Sequence, residues 1–123
     1  MLNAITQLGP RARGIAVIDA NTTDAALDAM KKTGIRGIRL NLTTAGISDP
    51  AVALQRFQAA ADRAKTHGLH IQLNTTLPVS QALSAQFQAS PVPLVFDHFG
   101  GAGAQGHAAR AIRPSLSFAE IIA

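Results

Sequence analysis

The sequence predicts a parallel α/β fold built from four βα units, and three observations carry that expectation. Short apolar segments rich in β-branched or large aliphatic residues begin near positions 13, 35, 69 and 94. Segments with helix-start signals or a 3.6-residue apolar period lie between and after them. Polar capping clusters and glycines separate the two kinds of segment. Such alternation favours a parallel sheet joined by right-handed crossovers.

Taken in order, residues 1–12 form a short helix that ends near Gly9-Pro10. Residues 13–19, Arg-Gly-Ile-Ala-Val-Ile-Asp, are a continuous apolar run, which predicts a strand buried on both faces. Asn21-Thr22-Thr23-Asp24 supplies N-cap residues for a helix reaching about Thr33, with Ala26, Leu27 and Met30 on one stripe, Lys31 and Lys32 in the last turn and Gly34 beyond it. Asp19, just past the first strand, reads as a turn or cap residue.

The second strand covers about 35–42, with Ile38, Leu40 and Leu42 on one face and Arg39 and Asn41 on the other. Asp49-Pro50 is a good N-cap and first-turn pair for a helix over 50–67, whose apolar stripe is Leu54, Phe57, Ala61 and Ala64 and which Gly68 stops. A third strand, 69–74, points Ile71 and Leu73 one way and His70, Gln72 and Asn74 the other. A helix over 78–89 carries Val79, Leu83, Gln86 and Phe87. Pro91 and Pro93 bracket the start of a fourth strand, 94–99, followed by a glycine-rich loop over 100–106 and an apolar helix opened by Pro114.

Composition narrows the class further. The 123 residues suffice for one domain, with 47% hydrophobic but only 4% aromatic residues and no Trp or Tyr, so the core is built from Ala, Leu, Ile, Val and five Phe. Eleven Lys and Arg against seven Asp and Glu give a formal charge of +4. The basic residues (Arg11, Arg13, Lys31, Lys32, Arg36, Arg39, Arg56, Arg63, Lys65, Arg110 and Arg113) are scattered rather than gathered with aromatics, which argues against a nucleic-acid partner. Cysteine is absent, which excludes disulfides and thiolate metal sites. No apolar run reaches the ~20 residues that span a bilayer. The first residues lack a secretory pattern, so a cytoplasmic location is expected.

Two parallel architectures accommodate four βα units: an open sheet with helices on both faces, or part of a (β/α)8 barrel. The second and third strands place Arg39, Asn41, Gln72 and Asn74 on one face, toward the strand ends. Burying such groups without partners is costly, so that face should line a wet cavity or meet a ligand. This favours about four strands of a (β/α)8 TIM barrel, an incomplete barrel with open sheet edges through which self-association is expected.

The segments Arg13-Gly14-Ile15-Ala16-Val17-Ile18-Asp19, Gly34-Ile35-Arg36-Gly37-Ile38-Arg39-Leu40-Asn41, Gly68-Leu69-His70-Ile71-Gln72-Leu73 and Pro93-Leu94-Val95-Phe96-Asp97-His98-Phe99-Gly100 resemble, in that order, the amidohydrolase-related family of TIM-barrel, metal-dependent hydrolases, in particular its group of 2-pyrone-4,6-dicarboxylate lactonases. The resemblance spans residues 1–123 as one partial barrel domain. It implies hydrolysis of a lactone or cyclic ester of a carboxylated small molecule at the barrel mouth. It implies that His98, in the Asp-His-x-Gly element, is catalytic, binding a divalent metal (Zn or Mn) or polarising the scissile carbonyl. It also implies that Arg39 grips a substrate carboxylate, with Asn41, His70 and Gln72 as further substrate-binding candidates. The family's His-x-His pair on the first strand has no counterpart among His67, His70, His98 and His107, and its last-strand Asp does not occur, so the isolated chain is expected to be incomplete and inactive.

Two other readings compete with a hydrolase. One is a non-catalytic truncated fragment. The other is a small nucleotide-binding module, because Gly101, Gly103 and Gly106 spell a G-x-G-x-x-G pattern after a strand; Pro114 cuts short any helix it opens, and no acidic residue lies about 20 residues beyond. Ser80, Ser84 and Ser115 lack a Gly-x-Ser-x-Gly context, which argues against a serine hydrolase.

Overall fold

The computed structural model describes residues 2–104, so the helix expected from Pro114, and His107, lie outside the described residues. Helix α1 (Leu2–Leu8) runs into a 3-10 turn, Gly9–Arg11. Then follow β1 (Gly14–Ala16), α2 (Asp24–Lys32), β2 (Ile35–Asn41), α3 (Pro50–His67), β3 (His70–Asn74), α4 (Leu77–Ala82), α5 (Ser84–Gln88) and β4 (Leu94–Phe96). The segment Asp97–Ala104 makes a further set of tight turns.

The helices begin where the sequence supplies oxygen acceptors. Thr23 Oγ1 accepts from the Ala26 amide at 3.1 Å, and Asp49 Oδ1 accepts from the Ala51 amide at 2.8 Å with Pro50 in the first turn. Asp24 opens α2 and Lys31 and Lys32 close it, charges that suit the helix dipole. Helix α3 ends at Gly68 in the left-handed region, and the Leu69 amide reaches back to Ala64 O at 2.8 Å, a Schellman-type stop.

The four strands form one parallel sheet in the order β1-β2-β3-β4. Right-handed crossovers that always advance in one direction place every connecting helix on the same face. The core agrees. Leu27 of α2, Phe57 and Ala61 of α3, Val79 and Leu83 of α4 to α5, and Phe87 of α5 pack against Ile38, Ile71, Leu73 and Leu94 of the sheet. Each large side chain so buried contributes roughly 1.5–3 kcal/mol. Phe57, Phe87 and Phe96 form edge-to-face pairs with centroids 5.0 and 5.5 Å apart, joining α3, α5 and β4. A second small cluster, Ile5, Ala16 and Ile35, seats α1 against the start of the sheet.

A nucleotide-binding open sheet needs a reversal of strand order, which creates the ligand crevice. Among the described residues the sequential order has none, so the strand order there gives the nucleotide reading no support. The architecture is the singly wound one of a (β/α) barrel, with four parallel strands.

Three expectations are corrected. The first strand is only Gly14–Ala16 and is not buried on both faces: Ile15 is half-buried, and Val17 beyond it is 65% exposed. As an edge strand with one uncovered face, β1 has fewer neighbours to bury its residues. The helix expected over 78–89 is two helices, parted where Leu83 leaves helical backbone (φ −103°, ψ 13°) while its side chain stays in the core. The fourth strand stops at Phe96 because His98 and Phe99 take positive φ, which no strand tolerates.

Candidate active site

Helices cover one face of the sheet, and the other face gathers the polar strand residues. Register pairs Gly37 with His70, Arg39 with Gln72, and Asn41 with Asn74, so these residues form rungs that climb toward the C-terminal ends of the strands. Gln72 pairs in turn with Val95 of β4, which is 46% exposed on this face. In a closed barrel such a face is the lumen, and its C-terminal end is where substrates bind.

The lowest rung explains one glycine. A Cβ on Gly37 would lie 2.5 Å from His70 Nε2, so the His70 ring occupies the space a side chain would take. His70 therefore lies flat across β2 below Arg39, as a floor to the site.

The next rung is a charged network. Arg39 Nε donates to Asn41 Oδ1 at 2.6 Å, and Arg39 Nη2 meets Asp97 Oδ2 at 2.6 Å. Gln72 Nε2 donates to the other Asp97 oxygen. Arg39 is rooted in β2 and Asp97 follows β4, so the guanidinium reaches across β3, about two strand spacings of ~4.8 Å each. Charge-assisted bonds of this kind are short and about twice as strong as neutral ones. The Asp97 side chain is 13% exposed and that of Arg39 is 29% exposed, so the carboxylate is the inner partner and the guanidinium the outer one.

Arg39, Asn41 and Gln72 are thus brought together, with His70 beneath. His98 is not part of this network: it is exposed, sits at φ 51°, and none of the bonds among the described residues ties it to Arg39, Gln72 or Asp97. The residue that sequence reasoning missed is Asp97, which alternation sets on the face opposite His98 and which therefore reads as structural. The signal was present. Leu94 and Phe96 belong to the core, so Val95 and Asp97 must share the face of Gln72.

Among the described residues, no three His, Asp or Glu side chains gather as metal ligands would. His70 is packed on Gly37, both Asp97 oxygens are engaged, and His98 stands apart, so the described residues do not fit a resident divalent metal.

A singly wound sheet with polar groups rising along one open face is the signature of a (β/α)-barrel segment. The chain belongs to the amidohydrolase family: the family's model, described as amidohydrolase, matches residues 1–120. Among solved structures, a probable 2-pyrone-4,6-dicarboxylic acid hydrolase from Acinetobacter baumannii, with citric acid bound, is similar at 33% identity and a TM-score of 0.65, over 80% of this chain and 36% of that one. An apo structure of an Agrobacterium tumefaciens protein matches at 21% identity and a TM-score of 0.64, over 80% of this chain and 35% of that one, and shows the fold alone. The chain thus spans about a third of the length of each.

Proposed function

We propose that this chain carries the carboxylate-recognition part of a hydrolase that opens the ring ester of a carboxylated lactone. The observation that carries the reading is Arg39, an arginine fixed on the open face by Asn41 and Asp97 whose side chain stays partly exposed. A guanidinium held in that way suits a carboxylate, which accepts parallel hydrogen bonds from it. The similar Acinetobacter structure supports the substrate class, because a pyrone dicarboxylate and citrate both present carboxylates.

In this reading Arg39 orients the substrate by its carboxylate, and His70 and Gln72 form the surface under the ring. His98, exposed at the end of β4, contributes an imidazole that polarises the scissile carbonyl. Water adds to that carbonyl carbon, the ring C–O bond breaks, and the product carries a new carboxylate and a hydroxyl, with one proton released. The described residues supply no base for that water, so a barrel holding these strands needs further groups to turn over.

The test is binding and turnover of 2-pyrone-4,6-dicarboxylate. The chain is expected to bind it, and Arg39→Ala is expected to weaken binding at least about tenfold, the loss of one charge-assisted contact. Absorbance of the pyrone ring is expected to stay constant with the chain alone, with or without Zn²⁺ or Mn²⁺. Binding that survives Arg39→Ala, or that is equal for the uncharged diester, would refute the reading.

A further inference from the structure

We infer that Asp97, backed by Gln72, is the positioning residue that makes Arg39 a carboxylate receptor; this rests on the reading of Arg39 just given. Arginine is a long and flexible residue. Its side chain has four rotatable bonds, and a free arginine at a cavity mouth samples many directions. Here both ends of the guanidinium are tied. Nε is held by Asn41 of the same strand and Nη2 by Asp97 two strands away. A guanidinium carries five N–H donors, and these two contacts engage one on Nε and one on Nη2. Asp97 is itself fixed, since its second oxygen accepts from Gln72 on the intervening strand.

The order of burial gives the pair its direction. In a pair whose role is structural, the arginine is free to lie inside the carboxylate. In this pair the carboxylate is the more buried member, at 13% against 29%, so the guanidinium is the partner more accessible to a ligand. The conformational entropy that a ligand would otherwise have to remove from Arg39 is already removed in the free protein, which favours binding through preorganisation.

Charge and positioning make opposite predictions, which gives the inference a sharp test. Asp97 is an anion beside a proposed anion site. If only charge matters, Asp97→Asn strengthens carboxylate binding. If Asp97 positions Arg39, the same variant weakens it. The probe is citrate, titrated calorimetrically at low ionic strength. Asp97→Asn is expected to bind citrate about tenfold more weakly than the unaltered chain. Gln72→Met, which leaves every charge in place, is expected to weaken it by a smaller factor, about threefold. Asp97→Asn binding citrate as tightly as the unaltered chain, or more tightly, overturns the inference.

A second measurement reads Arg39 directly and does not depend on citrate. In ¹⁵N spectra the Arg39 Nη2–H signal is expected to be resolved and slow to exchange in the unaltered chain, and to move toward the free-arginine position in Asp97→Asn. An unchanged signal overturns the inference even if citrate binding falls. If the unaltered chain does not bind citrate, the carboxylate reading of Arg39 fails, and the Nη2–H signal alone decides whether Asp97 positions the guanidinium.

Discussion

At the scale of single residues, His67 is the most heavily engaged titratable group outside the site. It is buried at the end of α3, with Nδ1 2.9 Å from Asp28 and Nε2 3.2 Å from Asp24, while Lys31 Nζ donates to its carbonyl at 2.7 Å and Arg63 lies 3.7 Å from Asp24. Both ring nitrogens face carboxylates, so the imidazolium is favoured; the Asp28 bond is the largest cause, Asp24 adds to it, and burial works against them. The folded protein thus holds this proton more tightly than the unfolded chain does, relative to the ordinary histidine value of 6.5. The resulting stability is complete below that value and is lost as pH rises through the folded one. Thermal melts are therefore expected to show a midpoint that falls by a few degrees between pH 6 and pH 8, and His67→Gln should flatten that slope; an unaltered slope in the variant would contradict the assignment. The sequence shows His67 only as the last residue before a stop glycine. Its partners lie 39 and 43 positions away, and nothing local points to them.

At the scale of elements, two glycines hold the open face together for different reasons. A Cβ at Gly37 meets the His70 ring, a side chain. A Cβ at Gly101 would lie 2.5 Å from the Leu77 amide and 2.7 Å from Thr75 O, both backbone, and its φ is +85°. This close approach, with Ser80 Oγ donating to Gly100 O at 2.9 Å, docks the turn after β4 onto the start of α4. Gly37→Ala is expected to cost about 1–3 kcal/mol in denaturant unfolding, as overpacking does, and His70→Ala should recover part of it. Gly101→Ala should cost more, with no side-chain change that relieves it; equal costs would refute this account. The starts of α2 and α3 are legible because caps are local chemistry. The break at Leu83 and the left-handed His98-Phe99 pair are not, because no proline or glycine stands at Leu83 and positive φ in non-glycine residues is imposed by surrounding packing.

At the scale of the whole molecule, strand order decides the architecture, and order is a property of crossovers rather than of any segment. The polar rung Arg39, Asn41, Gln72, Asn74 nevertheless pointed to a barrel from sequence, because a face that alternates polar toward the strand tips has no place inside a two-sided open sheet. Among the described residues β1 and β4 each have one unpaired edge, and Val95 on the uncovered face is 46% exposed. Such edges promote pairing with other chains. Size-exclusion chromatography with light scattering is expected to give a species larger than the 12.8 kDa monomer, and a monomer with a cooperative melt would contradict this. Backbone ladders join each strand only to the next, whereas Arg39 starts on β2 and ends on the residue after β4. It is a side-chain tie from β2 over β3 to the turn after β4, a link that no ladder bond supplies. Strand spacing and the aim of the guanidinium are thereby coupled, because any shift of the β4 end relative to β2 moves the anchor of Arg39.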